Sequence, residues 1–129
     1  MADTKKIMLV EDDGFMLDIL ANKLTKSGFE VHVAQDGEAC LNALDSFKPD
    51  LVLLDIIMPQ IDGFEVLRRI KDSSVWRATP VIVLTNLGEQ KEVQHAMDLG
   101  AKGYIVKANV TTKEIVEKIN NTFGIHTES

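Results

Sequence analysis

The sequence predicts an α/β protein built on a five-stranded, parallel, doubly wound sheet in the order 2-1-3-4-5. Three observations predict it. The apolar runs at 51–54 and 81–84 show no polar alternation, as expected of strands covered on both faces. Segments with apolar residues at helical spacing separate each strand-like run from the next, so every strand can run parallel through a right-handed crossover. Finally, 129 residues with 45% hydrophobic and 26% charged side chains suit one domain. A chain of this size can bury about two-thirds of its unfolded surface.

In order along the chain, residues 7–10 form a short apolar strand, followed by the acids Glu11, Asp12 and Asp13. Met16, Leu17, Leu20 and Leu24 recur at helical spacing over 14–27, and Gly28 stands where a left-handed helix cap belongs. Residues 29–34 alternate Val31 and Val33 with Glu30 and His32, the pattern of an edge strand. Asp36 can cap a second helix that turns Leu41, Leu44 and Phe47 inward and is closed by Pro49. The strand at 51–54 ends in Asp55. Pro59 and Gly63 then shape a loop, because proline lacks an N–H donor and glycine tolerates positive φ. Phe64, Leu67 and Ile70 mark a third helix, and the strand at 81–84 ends in Thr85. A fourth helix over about 88–99 places Val93, Ala96 and Met97 on one face, with Gly100 as its stop. Residues 102–106 form the fifth strand, followed by Lys107. Thr111 and Glu114 make a capping box for a last helix carrying Ile115, Ile119 and Phe123, before Gly124.

Composition excludes several function classes. Fourteen Lys and Arg against twenty Asp and Glu leave a net charge of −6, which argues against general affinity for nucleic acid or anionic membranes. Cys40 is the single cysteine, so the chain can form no internal disulfide or multi-cysteine zinc site. The segment MADTKKIMLVEDD reaches acidic residues too early for a signal peptide, and no apolar run approaches a membrane span. The expectation is a cytoplasmic protein without membrane insertion.

In doubly wound sheets the ligand crevice lies at the carboxyl ends of the strands. Glu11, Asp12, Asp13, Asp55, Thr85 and Lys107 all follow or close strands at that end, though they lie far apart in sequence. Two unit charges ~5 Å apart interact by ~3 kcal/mol at an effective dielectric of ~20. One lysine does not neutralise Glu11, Asp12 and Asp55 together, and a hard divalent cation bound through oxygen does. Mg²⁺ suits a site with few carboxylates, retained waters and a phosphate. The chemistry implied is phosphoryl transfer, with Asp55 as nucleophile, Lys107 as a mobile point charge and Thr85 as a hydrogen-bond donor to the phosphoryl oxygens.

The segments LVEDD (9–13), LVLLDIIMPQIDG (51–63), VIVLT (81–85) and GYIVK (103–107) resemble the receiver domains of two-component response regulators, over about residues 6–123. The likeness is to single-domain, chemotaxis-type receivers. The resemblance implies a flavodoxin-like (βα)5 fold between an N-terminal tail, 1–5, and a C-terminal tail, 124–129. It makes Asp55 the phosphoacceptor and Glu11 and Asp12 the acidic pair, with Asp12 a direct metal ligand. The backbone carbonyl of Ile57 then completes the protein's share of the Mg²⁺ shell (Mn²⁺ is the substitute). Tyr104 matches the aromatic switch position: phosphate draws Thr85 inward, Tyr104 follows, and the surface formed by the fourth helix, fifth strand and fifth helix changes shape. Asp13 reads as a solvated neighbour able to hold a metal-bound water.

Departures from the commonest family pattern set further expectations. Asn86 replaces a small residue and can narrow access to the phosphoryl group or hydrogen-bond it. Ala108 replaces a proline, and without proline a cis peptide costs ~3 kcal/mol. Ile57 and Leu87 flank the phosphate where polar groups would position hydrolytic water, so a long-lived phosphorylated state is expected. Cys40, Met8, Met16, Met58 and Met97 read as packing residues, and Trp76 as a packing lid. His32, His95 and His126 show no metal spacing and none is a phosphodonor.

The leading functional reading is therefore a signalling switch that takes its phosphoryl group from a sensor histidine kinase or phosphotransfer protein. Catalysis is confined to its own phosphorylation and dephosphorylation. A downstream protein docks on the output surface, directly and without nucleic acid, and the chain is a monomer or a phosphorylation-dependent dimer. The short tail after Phe123 sets the expectation of a receiver acting alone over one cut from a longer chain. Two alternatives stand beside this. A small-molecule aspartyl-phosphate phosphatase would want a second acid two residues after the nucleophile, where Ile57 stands. A phosphorylation-independent pseudo-receiver would leave the acidic pocket vestigial.

Overall fold

The computed structural model describes residues 4–125. His126, the last residues of the tail and residues 1–3 lie outside that range. The chain runs β1 (Lys6–Val10), α1 (Gly14–Lys26), β2 (Glu30–Ala34), α2 (Gly37–Phe47), β3 (Leu51–Leu54), α3 (Gly63–Asp72), β4 (Val81–Thr85), α4 (Gln90–Asp98), β5 (Gly103–Val106), a 3-10 turn (Lys107–Asn109) and α5 (Thr112–Phe123). All strand pairs are parallel, in the order β2-β1-β3-β4-β5. This is the flavodoxin-like architecture expected.

Strand side chains alternate between two apolar layers. Met8, Val10, Val52, Leu54, Val81 and Val83 face α2, α3 and α4, where Leu44, Val66, Leu67, Ile70 and Ala96 meet them. Ile7, Leu9, Leu51, Leu53, Ile82 and Leu84 face α1 and α5, against Leu17, Leu20, Leu24, Ile115 and Ile119. Because β1, β3 and β4 lie inside the sheet, both faces of these strands are covered, which is why their sequences are unbroken apolar runs.

The caps also follow the sequence. Asp36 accepts from Ala39 N–H at 2.8 Å, Thr111 and Glu114 form the reciprocal capping box, and Gly28 takes φ +100° after α1. Three details differ from expectation. Phe29 is buried against Phe123 but precedes β2 rather than belonging to it. Within α4 Ala96 is fully buried while Met97 is 42% exposed, because the short helix lays only a narrow stripe on the sheet. In α2 the buried positions are Gly37, Cys40 and Leu44, with Leu41 and Phe47 at the margin. Burial pushes the Cys40 thiol up to about 12, in keeping with a packing role. Trp76 packs on the α2–α4 layer and donates its indole N–H to Asp45 at 3.1 Å.

Candidate functional site

Strand register brings the site together. Val10 pairs with Leu54 and Leu54 with Val83, so Glu11 and Asp55 emerge side by side at the carboxyl edge. Asp55 N–H donates to the Val10 carbonyl at 3.0 Å and Glu11 N–H to the Ala34 carbonyl at 3.0 Å, which carries the ladder one residue past each strand.

The loop after Asp55 is set by its glycine. Gly63 N–H donates to the Ile56 carbonyl at 2.8 Å, and a Cβ at Gly63 would collide with the Asp55 carbonyl oxygen and Ile56 Cα. Asp62 then caps α3 by accepting from Glu65 N–H at 3.0 Å. This folding back keeps the Asp55 side chain 7% exposed while Ile57 stays 53% exposed at the rim.

One carboxylate oxygen each from Glu11, Asp12 and Asp55 lies within 4.8 Å of the other two. Asp12 is exposed, whereas Glu11 and Asp55 are buried. Lys107 Nζ bridges the buried pair, donating to Glu11 Oε1 and, at 3.0 Å, to Asp55 Oδ2. The other Asp55 oxygen, Oδ1, accepts the Ile57 N–H at 3.1 Å. Both oxygens of the proposed nucleophile are thus oriented.

Burial raises the Glu11 carboxyl above its ordinary range; the Lys107 and Asp13 hydrogen bonds oppose this without cancelling it, and the Asp55 charge adds to it. For Lys107 burial favours the neutral amine, but the bonds to Glu11 and then Asp55 outweigh it and hold the ammonium charged. Lys107 is thus paired with two of the three clustered carboxylates, and Asp12 has no part in that pairing. An all-oxygen donor set with excess negative charge and one open, solvent-facing ligand, Asp12, fits a hard divalent ion.

Asp13 has a local structural role. It caps α1, accepting from Phe15 N–H at 3.0 Å and Met16 N–H at 3.4 Å, while its own N–H donates to Glu11 Oε2 at 3.2 Å. Thr85 closes β4, fully buried, with its Oγ1 accepting Leu87 N–H at 3.5 Å. Tyr104 is half-buried and its hydroxyl donates to the Leu87 carbonyl, so Thr85 and Tyr104 meet through one loop residue. Burial, then the Glu92 and Asp55 charges, raise the Tyr104 phenol. Asn86 Oδ1 accepts the backbone N–H of Ala108 at 3.1 Å. No peptide bond among the described residues is cis, in line with Ala108 in place of proline.

Known proteins match this chain in sequence and in fold. The family model described as response regulator receiver domain matches residues 7–120. The probable transcriptional regulator ycf27 of Guillardia theta is 39% identical over 116 residues, 89% of this chain and 44% of that protein. The alkaline phosphatase synthesis transcriptional regulatory protein PhoP of Bacillus subtilis is 34% identical over 103 residues, 80% of this chain and 42% of its own length. The chain thus spans less than half the length of these curated relatives. Among solved structures, a CheY-like receiver domain protein from Methanospirillum hungatei superposes with a TM-score of 0.86 at 27% identity, covering 93% of this chain and 94% of that one. The BeF3-activated RstA receiver domain of Klebsiella pneumoniae gives 0.84 at 30% identity, covering 91% and 97%. The chain belongs to the receiver domains of two-component response regulators.

Proposed function

We propose that this receiver accepts a phosphoryl group on Asp55 from the phosphohistidine of a sensor kinase or phosphotransfer protein, and that the modified state is read by a downstream protein. The observation carrying this reading is the double hold on the Asp55 carboxylate. Ile57 N–H fixes Oδ1 and Lys107 fixes Oδ2 at a buried carboxylate, with Asp12 and Ile57 exposed beside it. An oxygen of that carboxylate forms an O–P bond as the P–N bond to the donor imidazole breaks and the imidazole leaves with the electron pair. The Lys107 ammonium, already charged, transfers part of its bonding to a phosphoryl oxygen, and the Thr85 hydroxyl donates to another. Glu11, Asp12, Asp55 and the Ile57 carbonyl would hold Mg²⁺ or Mn²⁺. A bound ion of that class supplies positive charge to the phosphoryl oxygens.

Ile57, 53% exposed at the rim, stands where a phosphatase would want a general acid, which supports a chain that acts on its own phosphoryl group over one that turns over external esters. With Ile57 and the half-buried Leu87 flanking the phosphate, hydrolytic water is poorly held and the phosphorylated state is long-lived; a lifetime on the order of seconds with Mg²⁺ would contradict this. Tyr104, joined to the Thr85 loop, carries the change to the surface of α4, β5 and α5, where the effector docks. No helix among the described residues is long and apolar enough to cross a membrane. The reading places the chain in the cytoplasm, where its donor would be.

Intact mass after incubation with acetyl phosphate tests the proposal. One added phosphoryl group is expected with Mg²⁺, and none with chelator or in Asp55→Asn. An unmodified wild type under the same conditions would leave the pseudo-receiver reading, and steady release of phosphate from small esters would restore the phosphatase reading.

A further inference from the structure

Asn86 and Ala108 stand one residue beyond Thr85 and Lys107, the two groups assigned to the phosphoryl oxygens, and they are joined across 22 positions of sequence. The last register pair between β4 and β5 is Thr85 with Val106, so backbone pairing stops just short of them. After it, β5 gives way to the 3-10 turn Lys107–Asn109, whose own cap residue, Val106, offers no side-chain acceptor. The first N–H groups of such a turn need partners from outside. Asn86 Oδ1 meets that need at Ala108, at 3.1 Å, and extends the strand pairing by one side-chain bond. The same loop is fastened twice more, by Leu87 N–H on Thr85 Oγ1 and by the Tyr104 hydroxyl on the Leu87 carbonyl. The two positions complement each other: a proline at 108 would have no N–H to give, and a glycine or alanine at 86 would have no side-chain acceptor to offer.

We infer that Asn86 is a positioning residue. Through Ala108 it couples the loop carrying Thr85 to the turn carrying Lys107, so both groups are held in one frame around Asp55. The inference rests on the phosphoacceptor reading and adds that the phosphoryl-oxygen donors are pre-aligned by a bond that touches no reacting atom.

The test is the rate of phosphorylation by acetyl phosphate, measured against donor concentration with Mg²⁺ present, in wild type, Asn86→Ala, Ala108→Pro and the double variant. Each single variant is expected to lower the saturating rate about fivefold, the worth of one net hydrogen bond. Donor concentration at half-rate should stay unchanged, and the double variant should be no slower than the slower single. Multiplying effects, or a full rate in Asn86→Ala, would overturn the coupling, the first by showing that Asn86 acts on the phosphoryl group directly. Amide hydrogen exchange at Ala108 keeps the question decidable if Ala108→Pro does not fold. Protection should fall in Asn86→Ala and persist in Asn86→Asp, which retains the acceptor, and unchanged protection in Asn86→Ala would sink the inference. A wild type that takes no phosphoryl group would instead overturn the phosphoacceptor reading, and the coupling with it.

Discussion

Strand β3 and the residue that follows it lie in two interiors that differ in chemistry more than in exposure. Leu51 to Leu54 are each 0% exposed between two apolar layers, and Asp55, one residue on, is 5% exposed among charges. β4 repeats the contrast, from Val81–Leu84 to Thr85. In the middle of the sheet burial is the driving force, each large side chain contributing about 1.5–3 kcal/mol. At the carboxyl edge burial opposes folding, because carboxylates lose water and must be given partners. The difference teaches that the core holds the edge in place, while the edge sets aside some stability for a charge arrangement the core does not need.

The largest effect on that contrast should come from the apolar side. Leu53→Ala, at a fully buried position in the α1–α5 layer, should lower unfolding free energy by roughly 3–5 kcal/mol in a denaturant titration. A loss below that range would mean the layer closes over the gap. Next comes Lys107→Met, which leaves Glu11 and Asp55 buried without their shared cation. It should cost about 3 kcal/mol in the same titration and also abolish phosphorylation. If Lys107→Met proved as stable as wild type, the edge would not be held by charge pairing and the contrast would fail.

Both interiors were legible in sequence, though unequally. The runs at 51–54 and 81–84 announce the central strands because a covered strand tolerates no polar residue, and the strand order then collects Glu11, Asp55, Thr85 and Lys107 at one end. The partners inside the site were not legible. That Lys107 bridges Glu11 and Asp55, that Asp13 caps α1, and that Asn86 binds Ala108 all depend on where loops of different strands converge. Only the joint replacement of a small residue by Asn86 and a proline by Ala108 carried a trace of that last bond. Met97 lies outside the buried stripe because helical spacing identifies a face without giving its width.

The smallest effect lies on the solvent side of α3, away from both interiors. Hydrogen bonds from Arg68 and then Arg69 hold the Glu65 carboxyl down at about 2, against 4.5 ordinarily. A depressed carboxylate adds stability that is complete above its unfolded value and disappears as pH falls from about 4.5 towards about 2. Wild type should therefore exceed Glu65→Gln slightly at neutral pH and lose the margin in that window. Because the site is exposed, added salt should shrink the margin too. A margin that survives acid would place its origin outside the ion pair.

The most direct test of the central claim locates the modification. The receiver is incubated with acetyl phosphate and Mg²⁺ and reduced with borohydride, which converts an aspartyl phosphate to homoserine; the peptides are then mapped. The account predicts homoserine at position 55 alone. Label at Asp12, at Asp62 or spread over surface carboxylates would contradict it.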